Sequence, residues 1–315
     1  MRMFNSIESA LDEAMNGVLT ADPGRCERLE TEYGYGIYRS NLKENCVRVI
    51  LNGGGGIGPM WAGCAAEGLS DGIVHGEFDS APNAYTIYEM AKKLDAGKGV
   101  LLITNNYMGD YLNNDMACEL LAYDGIESEV CLISDDAGSA RGRSRSERGG
   151  MSGILQVAKA AVKAAYEGKS LKEVKAVADR FNENTVSVTA LYDDDGNISY
   201  GAGFSGEPPL VTEKFTGADD FVKHGLEILL DDFEDIPEKI FLNISRMRNT
   251  CYAESMVILQ SSVRFLEEKG IKVCGCTAGS YFDVFEQGGC IFTVTAVDVD
   301  MEAYTGRVSG YDFTV

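Results

Sequence analysis

The chain has 315 residues, 45% of them hydrophobic and 24% charged, which is ordinary for a globular protein and long enough for two domains with full cores. With 28 basic against 49 acidic residues the formal net charge is −21. That excludes nucleic acid or an anionic membrane as the main partner, because both require a basic surface to displace counterions. Only two histidines are present, His75 and His224, so a histidine zinc site is not expected and no metal is assigned to the chain.

Residues Met1-Arg2-Met3-Phe4 run straight into an amphipathic pattern, so no signal peptide is expected, and no apolar stretch reaches membrane-spanning length. Asn5-x-x-Glu8 is a capping box, and Ile7, Leu11, Met15, Val18 and Leu19 recur behind it at helical spacing. A polar, glycine-containing segment follows, including Tyr33-Gly34-Tyr35-Gly36-Ile37-Tyr38. Strand and helix patterns then alternate: strand over 46–51, strand over 72–78, helix over 83–94, strand over 99–104, helix over 108–123 and strand over 128–134. Such alternation with short connections predicts a mainly parallel sheet flanked by helices, whose ligands bind beyond the carboxyl ends of the strands. Two helices are expected over 151–167 and, behind the capping box Ser170-x-x-Glu173, over 171–184.

The plan changes after 184. A hairpin is expected over 186–202 around Asp193-Asp194-Asp195-Gly196-Asn197, which lacks the calcium-loop arrangement. Beyond Gly206-Glu207-Pro208-Pro209 come helix 218–230, strand 239–244, helix 253–269, strand 271–276 and strand 290–299. The fold class expected is α/β with two α/β domains, 1–184 and 185–315, the second a smaller mixed sheet with helices. Nine cysteines, an odd number without a CxxC pair and mostly inside apolar runs, suit free thiols in a reducing cytosol.

The chemistry-bearing stretch is Asn52-Gly53-Gly54-Gly55-Gly56-Ile57-Gly58-Pro59, after the apolar run Val47-Arg48-Val49-Ile50-Leu51. It reads as strand, tight turn and helix start, leaving backbone N–H groups where an anion or polyol can approach closely. Gly53-x-Gly55-x-x-Gly58 also fits the dinucleotide fingerprint, with Glu77 and Asp79 about 20 residues on. A bare strand-to-helix turn satisfies the same letters. At another strand end, Asn105-Asn106-Tyr107-Met108-Gly109-Asp110 offers Asp110 either as a carboxylate suited to a helix N-terminus or as a general base. Residues 139–150, with Arg141, Arg143, Arg145 and Arg148, are the only basic concentration. Their Ser/Gly content predicts a mobile loop, either solvated or meeting a phosphate or acidic partner. His75 is read as a strand residue near a strand end, and His224 as a surface residue of a helix.

Taken in order, Gly53 to Pro59, Gly99 to Asp110 and Gly201-Ala202-Gly203-Phe204-Ser205-Gly206-Glu207-Pro208 make the chain resemble the K subunit (DhaK type) of dihydroxyacetone kinase over nearly its whole length. Ile133-Ser134-Asp135-Asp136, Arg148-Gly149 and Asn182-Glu183-Asn184 add weaker matches. Several motifs in one order are more specific than one glycine turn and displace the dinucleotide reading. The resemblance implies a homodimer of two-domain α/β chains that holds a small ketose or polyol. ATP or ADP with magnesium is implied on a separate helical nucleotide-binding subunit, with no cofactor on this chain. It also implies a histidine that captures the ketose as a hemiaminal, with another histidine and an aspartate handling the hydroxyl proton. In this sequence Ile57 stands at one histidine position, Ser205 at the hemiaminal position, Asn105 at a lysine position, and Asp110 is retained. Isoleucine can neither attack a carbonyl nor exchange a proton, and an unassisted serine hydroxyl is a weak nucleophile; loss of acid–base help alone costs ~10²–10⁴ in rate. The resemblance therefore implies noncovalent holding of the ligand by Gly53, Gly54, Gly55, Gly56, Ile57, Asn105 and Ser205, with Asp110 as the catalytic group. The alternative is a catalytically silent paralogue that regulates through protein contacts.

Overall fold

The computed structural model describes residues 3–56, 58–283, 287–310 and 314–315. In the first half of the chain the elements are α1 (Ala10–Ala21), β1 (Cys26–Thr31), β2 (Gly34–Arg39), β3 (Arg48–Gly55), β4 (Gly58–Pro59), α2 (Met60–Cys64), β5 (Gly72–Phe78), α3 (Ala84–Leu94), β6 (Val100–Asn105), α4 (Met108–Tyr123), β7 (Ser128–Ile133), α5 (Ile154–Tyr166) and α6 (Leu171–Glu183). The second half adds β8 (Thr185–Tyr192), β9 (Asn197–Tyr200), β10 (Val211–Lys214), α7 (Ala218–Leu230), β11 (Lys239–Arg246), α8 (Tyr252–Glu268), β12 (Lys272–Gly279), β13 (Phe282–Asp283), β14 (Gly288–Ala296) and α9 (Val299–Glu302).

Two six-stranded sheets result. The first has the order β1-β2-β5-β3-β6-β7, parallel from β5 to β7 and antiparallel at β1 and β2. The second has the order β10-β9-β8-β14-β11-β12, antiparallel except for β11 with β12. It is mixed, as expected, but carries as many strands as the first.

The centre of the molecule is α5. Its sequence Ile-Leu-Gln-Val-Ala-Lys-Ala-Ala-Val-Lys-Ala-Ala-Tyr is apolar on nearly every side, and all but Lys163 and Tyr166 are buried. A helix hydrophobic all round requires cover on both faces. One apolar core joins α2, α5 and α6 to the first sheet through Leu51, Leu101 and Ile133, and to the second through Phe241 and Ile291. Separate cores fill the far side of each sheet, under α3 and α4 for the first and under α7 and α8 for the second.

Local departures from the sequence reading have local causes. α1 starts at Ala10 because Asn5 bonds the Glu13 carboxylate at 2.6 Å and Ser6 takes the Ser9 amide, so the 5–8 capping box does not form. The box at Ser170 and Glu173 does form. The segment read as polar connection is the β1–β2 hairpin, whose edge position tolerates outward Glu and Arg. β10 is a second edge strand that the periodicity does not announce.

Candidate active site at the glycine strand

β3 lies between two parallel neighbours, and this decides the role of its glycines. Instead of turning after Leu51, the strand runs on through Asn52 to Gly55, with Asn52 opposite Val74 and Thr104, Gly53 opposite His75, and Gly55 opposite Phe78. The glycines are needed here for close approach. A Cβ on Gly53 would lie 2.5 Å from Trp61 Cζ2, and one on Gly55 would lie 2.6 Å from Leu11 Cδ1 and 2.8 Å from the Glu77 carbonyl oxygen. The Trp61 indole N–H donates to the Gly54 carbonyl at 2.6 Å, clamping the ring onto the strand. Gly56 alone of the four has a left-handed φ, +87°. Ile57 lies outside the described residues. α2 spans only five residues, so the long helix that a dinucleotide turn would open is not formed.

The neighbouring wall comes from the end of β6 and the start of α4. Asn105 and Asp110 are both buried, Asp110 to 5% exposure, and the Oδ1 atoms of both are buried without a hydrogen-bond partner. Burial pushes the Asp110 carboxyl up to about 7. Its position is fixed from behind: Asn114 donates to the Asp110 carbonyl at 2.8 Å and exchanges two amide bonds, 2.9 and 2.8 Å, with Asn52 of the glycine strand. Polar residues four apart on the inner face of α4 are the sequence signal that could have revealed this fixture.

The basic loop packs against the same wall and is not free. Asn106 Nδ2 donates to the carbonyls of Ser146 and Arg148, and the Tyr107 hydroxyl donates to the Gly150 carbonyl at 3.2 Å. The Arg145 guanidinium donates to the carbonyls of Asn182 and Thr185, and Arg148 pairs with Asp232 at 2.6 Å. Arg145 and Arg148 are thus held by the protein's own acceptors, which corrects the mobile-loop expectation.

A cavity of about 380 Å³ opens between these walls, lined by Gly54, Gly55 and Trp61, by 79–81 after β5, by Asn105, Tyr107, Gly109 and Asp110, and by Phe204, Ser205 and Phe282. It lies at the carboxyl ends of β3, β5 and β6, where a parallel sheet places ligands. Phe204 and Phe282 stack at 5.2 Å, closing the side toward the second sheet. Of the residues singled out from sequence, Gly54, Gly55, Asn105, Asp110 and Ser205 meet here; Gly53 and Gly56 stand behind, outside the lining. Ser205 is exposed, its amide bonded to Glu207 at 2.9 Å. Asp79 lines the cleft, whereas Glu77 does not. Sequence reasoning misses Trp61, Tyr107, Phe204 and Phe282, because their convergence spans more than 200 residues of chain.

Neither histidine lines the cleft. His75 sits edge-on to Tyr35 at 5.1 Å with Nδ1 at 2.8 Å from the Gly76 carbonyl, and burial holds its imidazole below the usual range. His224 of α7 pairs with Glu213 of β10. Among the described residues no group of three or more His, Cys, Asp or Glu is placed to hold a metal ion. What the cleft offers a ligand is the polar side chains of Asn105 and Asp110, the glycine backbone at Gly54 and Gly55 and aromatic walls, a combination suited to a small molecule with several hydroxyl groups.

Fold and cleft define an α/β protein of two sheets about a buried helical layer, with a polar small-molecule cleft at one sheet's carboxyl edge. The chain belongs to the Dak1 domain family, whose model matches residues 16–309. It is 27% identical over 316 residues to the Listeria innocua PTS-dependent dihydroxyacetone kinase 2, dihydroxyacetone-binding subunit DhaK, covering 96% of this chain and 95% of that one. It is 28% identical over 319 residues to the Mycolicibacterium smegmatis D-erythrulose kinase, covering 96% of this chain but 54% of the relative, so it spans about half that protein. The crystal structure of the C. freundii dihydroxyacetone kinase shares the fold, with a TM-score of 0.90 at 22% identity over 100% of this chain and 61% of that chain. No helix among the described residues is long and apolar enough to cross a membrane.

Proposed function

We propose that this chain is the substrate-holding part of a dihydroxyacetone kinase-type phosphotransferase, binding a small ketose, polyol or related metabolite noncovalently in the glycine cleft. The observation that carries this reading is that Asn105 and Asp110, two buried polar side chains whose Oδ1 atoms have no hydrogen-bond partner in the chain, both line one cleft. Buried acceptors left open cost free energy until a donor arrives, and ligand hydroxyl groups are suitable donors.

One hydroxyl bonded to Asn105 and another to Asp110 would fix the ligand, with Trp61 and the Phe204–Phe282 stack covering its carbon skeleton. As the hydroxyl oxygen at Asp110 bonds to the transferred phosphorus, the bond from that phosphorus to the donor's bridging oxygen breaks and the remainder of the donor leaves, while the hydroxyl O–H bond breaks and its proton passes to Asp110. A carboxyl near 7 is well matched to that exchange at neutral pH. The remaining catalysis is positioning. The nucleotide, ATP or ADP with magnesium, is assigned to a helical partner subunit that delivers the phosphoryl group, and the chain is assigned as a homodimer in a reducing cytoplasm, where its nine free cysteines would be stable.

Trp61 is the single tryptophan and lines the cleft, so its fluorescence reports occupancy directly. Titration with dihydroxyacetone, erythrulose and glycerol should give a saturable change for at least one, and mixing with a nucleotide-bearing kinase subunit should give ligand-dependent phosphoryl transfer. No saturable change across trioses, tetroses and their polyols would refute the reading. Binding without transfer would favour a regulator that keeps the cleft but lacks turnover, the reading motivated by Ile57 and Ser205 at the family's histidine positions.

A further inference from the structure

The cleft carries charge of one sign. Among the described residues its ionisable lining groups are Asp79, Tyr107 and Asp110, and no Lys, Arg or His lines it. Arg145 and Arg148 of the adjacent loop are held by Asn182, Thr185 and Asp232 instead. Asp79 stands exposed at the rim, directly after β5, and its carboxylate has no ion pair or hydrogen bond among the described residues. With Asn45 it is one of two described non-glycine residues at a left-handed φ, +53°. Aspartate tolerates that region better than most side chains do, so the turn presents a carboxylate where glycine is the easier choice. Asp110 is the buried counterpart, 5% exposed and with its Oδ1 unpartnered. Burial and the carboxylates of Asp136, Glu207, Asp135 and Asp110 hold the Tyr107 hydroxyl well above the usual tyrosine range, the mark of a negative field over the lining. The other walls are the rings of Trp61, Phe204 and Phe282, and aromatic faces attract cations.

We propose that the cleft selects its ligand by charge, taking a small amino polyol whose ammonium lies at Asp79 while a hydroxyl bonds Asp110; this rests on the function proposed above and names the ligand class of that site. An ammonium brings three donors and no acceptor, the complement of a rim carboxylate. An exposed ion pair gives about fivefold in affinity at most, and attraction of the cation by the aromatic walls raises this to roughly tenfold. A neutral polyol gains neither. A ligand carboxylate or phosphate meets no basic group in the lining and is repelled by both aspartates, so the phosphorylated product is held less well than the ligand, which favours its release. Asp110, buried where charge is costly, is left to the hydroxyl and to the proton exchange described above.

The test uses the full chain, Trp61 fluorescence and four probes. Aminopropanediol, glycerol and glycerate share two hydroxyl-bearing carbons and differ at the third, which carries an ammonium, a hydroxyl or is a carboxylate; dihydroxyacetone is the fourth probe. Aminopropanediol should bind roughly tenfold more tightly than glycerol, and glycerate least tightly, with the spread narrowing at high ionic strength because Asp79 is exposed. Asp79→Asn keeps the shape and the tolerance for a left-handed φ but removes the charge, so it should bring the three affinities together. Glu77→Gln, an exposed neighbour outside the lining, is the control for net charge and should leave the spread as it is. Glycerol bound as tightly as aminopropanediol, glycerate bound best, or a spread that survives Asp79→Asn or collapses equally in Glu77→Gln would overturn the inference. A dihydroxyacetone response without preference for the amine overturns the inference and leaves the function standing. No response to any of the four removes both.

Discussion

Replacing Asp110 by asparagine should make the protein more stable and less active, and the gain in stability should depend on pH. Burial moves this carboxyl from its ordinary 3.8 to about 7. At about 1.4 kcal/mol per pH unit, the folded chain prefers the protonated form by roughly 4 kcal/mol, an upper figure set by how completely the site excludes water. Below about pH 4 the group is protonated in both folded and unfolded chains and contributes no difference. From there to about pH 7 the unfolded chain releases its proton and the folded chain does not, so wild-type stability declines; above about pH 7 the penalty is constant. An amide cannot ionise, so the Asp110→Asn variant escapes the decline. Urea unfolding followed by circular dichroism and Trp61 fluorescence should show the variant-minus-wild-type gap widening by a few kcal/mol between about pH 4.5 and pH 8. Taking the change between two pH values cancels any constant cost of the new side chain. Transfer to the ligand hydroxyl should fall by ~10²–10⁴, because the amide has no site to take the proton, while ligand binding persists. A gap that is the same at both pH values would refute the desolvated, titrating Asp110 on which the general-base assignment depends.

Lys159 on α5 gives the opposite sign. Its ammonium lies 4.4 Å over the Phe241 ring, 2% exposed and without a hydrogen-bond partner, and burial pushes it down to about 7. Lys159→Met should stabilise the chain by up to roughly 5 kcal/mol below about pH 7, with the gain fading toward pH 10.5 as the unfolded lysine also loses its proton; paired urea titrations near pH 6.5 and 9.5 would show it, and a larger gain at the higher pH would contradict it. Gly55→Ala should cost about 3 kcal/mol or more, because its Cβ meets backbone carbonyls that cannot move aside. Gly54→Ala, with only ordinary contacts to Ser80, should cost under about 1 kcal/mol yet weaken ligand binding by filling the cleft; thermal unfolding and fluorescence titration separate the two effects. Asp232→Ala, which strips Arg148 of its largely buried partner, should cost about 2–3 kcal/mol and open the 139–150 loop to trypsin; an unchanged digestion rate would show that Arg145 alone holds it.

The sequence by itself determined the elements whose signals are local. Strand 72–78 and helices 108–123 and 218–230 match β5, α4 and α7 residue for residue, because apolar period and punctuation are properties of neighbouring residues. It also singled out the glycine strand, Asn105 and Asp110, whose residue types carry chemistry wherever they sit. Tertiary structure decided what those residues mean. Four glycines read as a turn become mostly strand once β5 and β6 pair on either side and Trp61 lies across them. Arg145 and Arg148, read as part of a mobile loop, become staples once Asp232 and the carbonyls of Asn182 and Thr185 come within reach. The burial of α5 between two sheets and the meeting of Trp61 with Phe204 and Phe282 belong to the same class. Periodicity states which side of an element avoids water, but the surface that covers it, or fails to, is supplied by residues far along the chain.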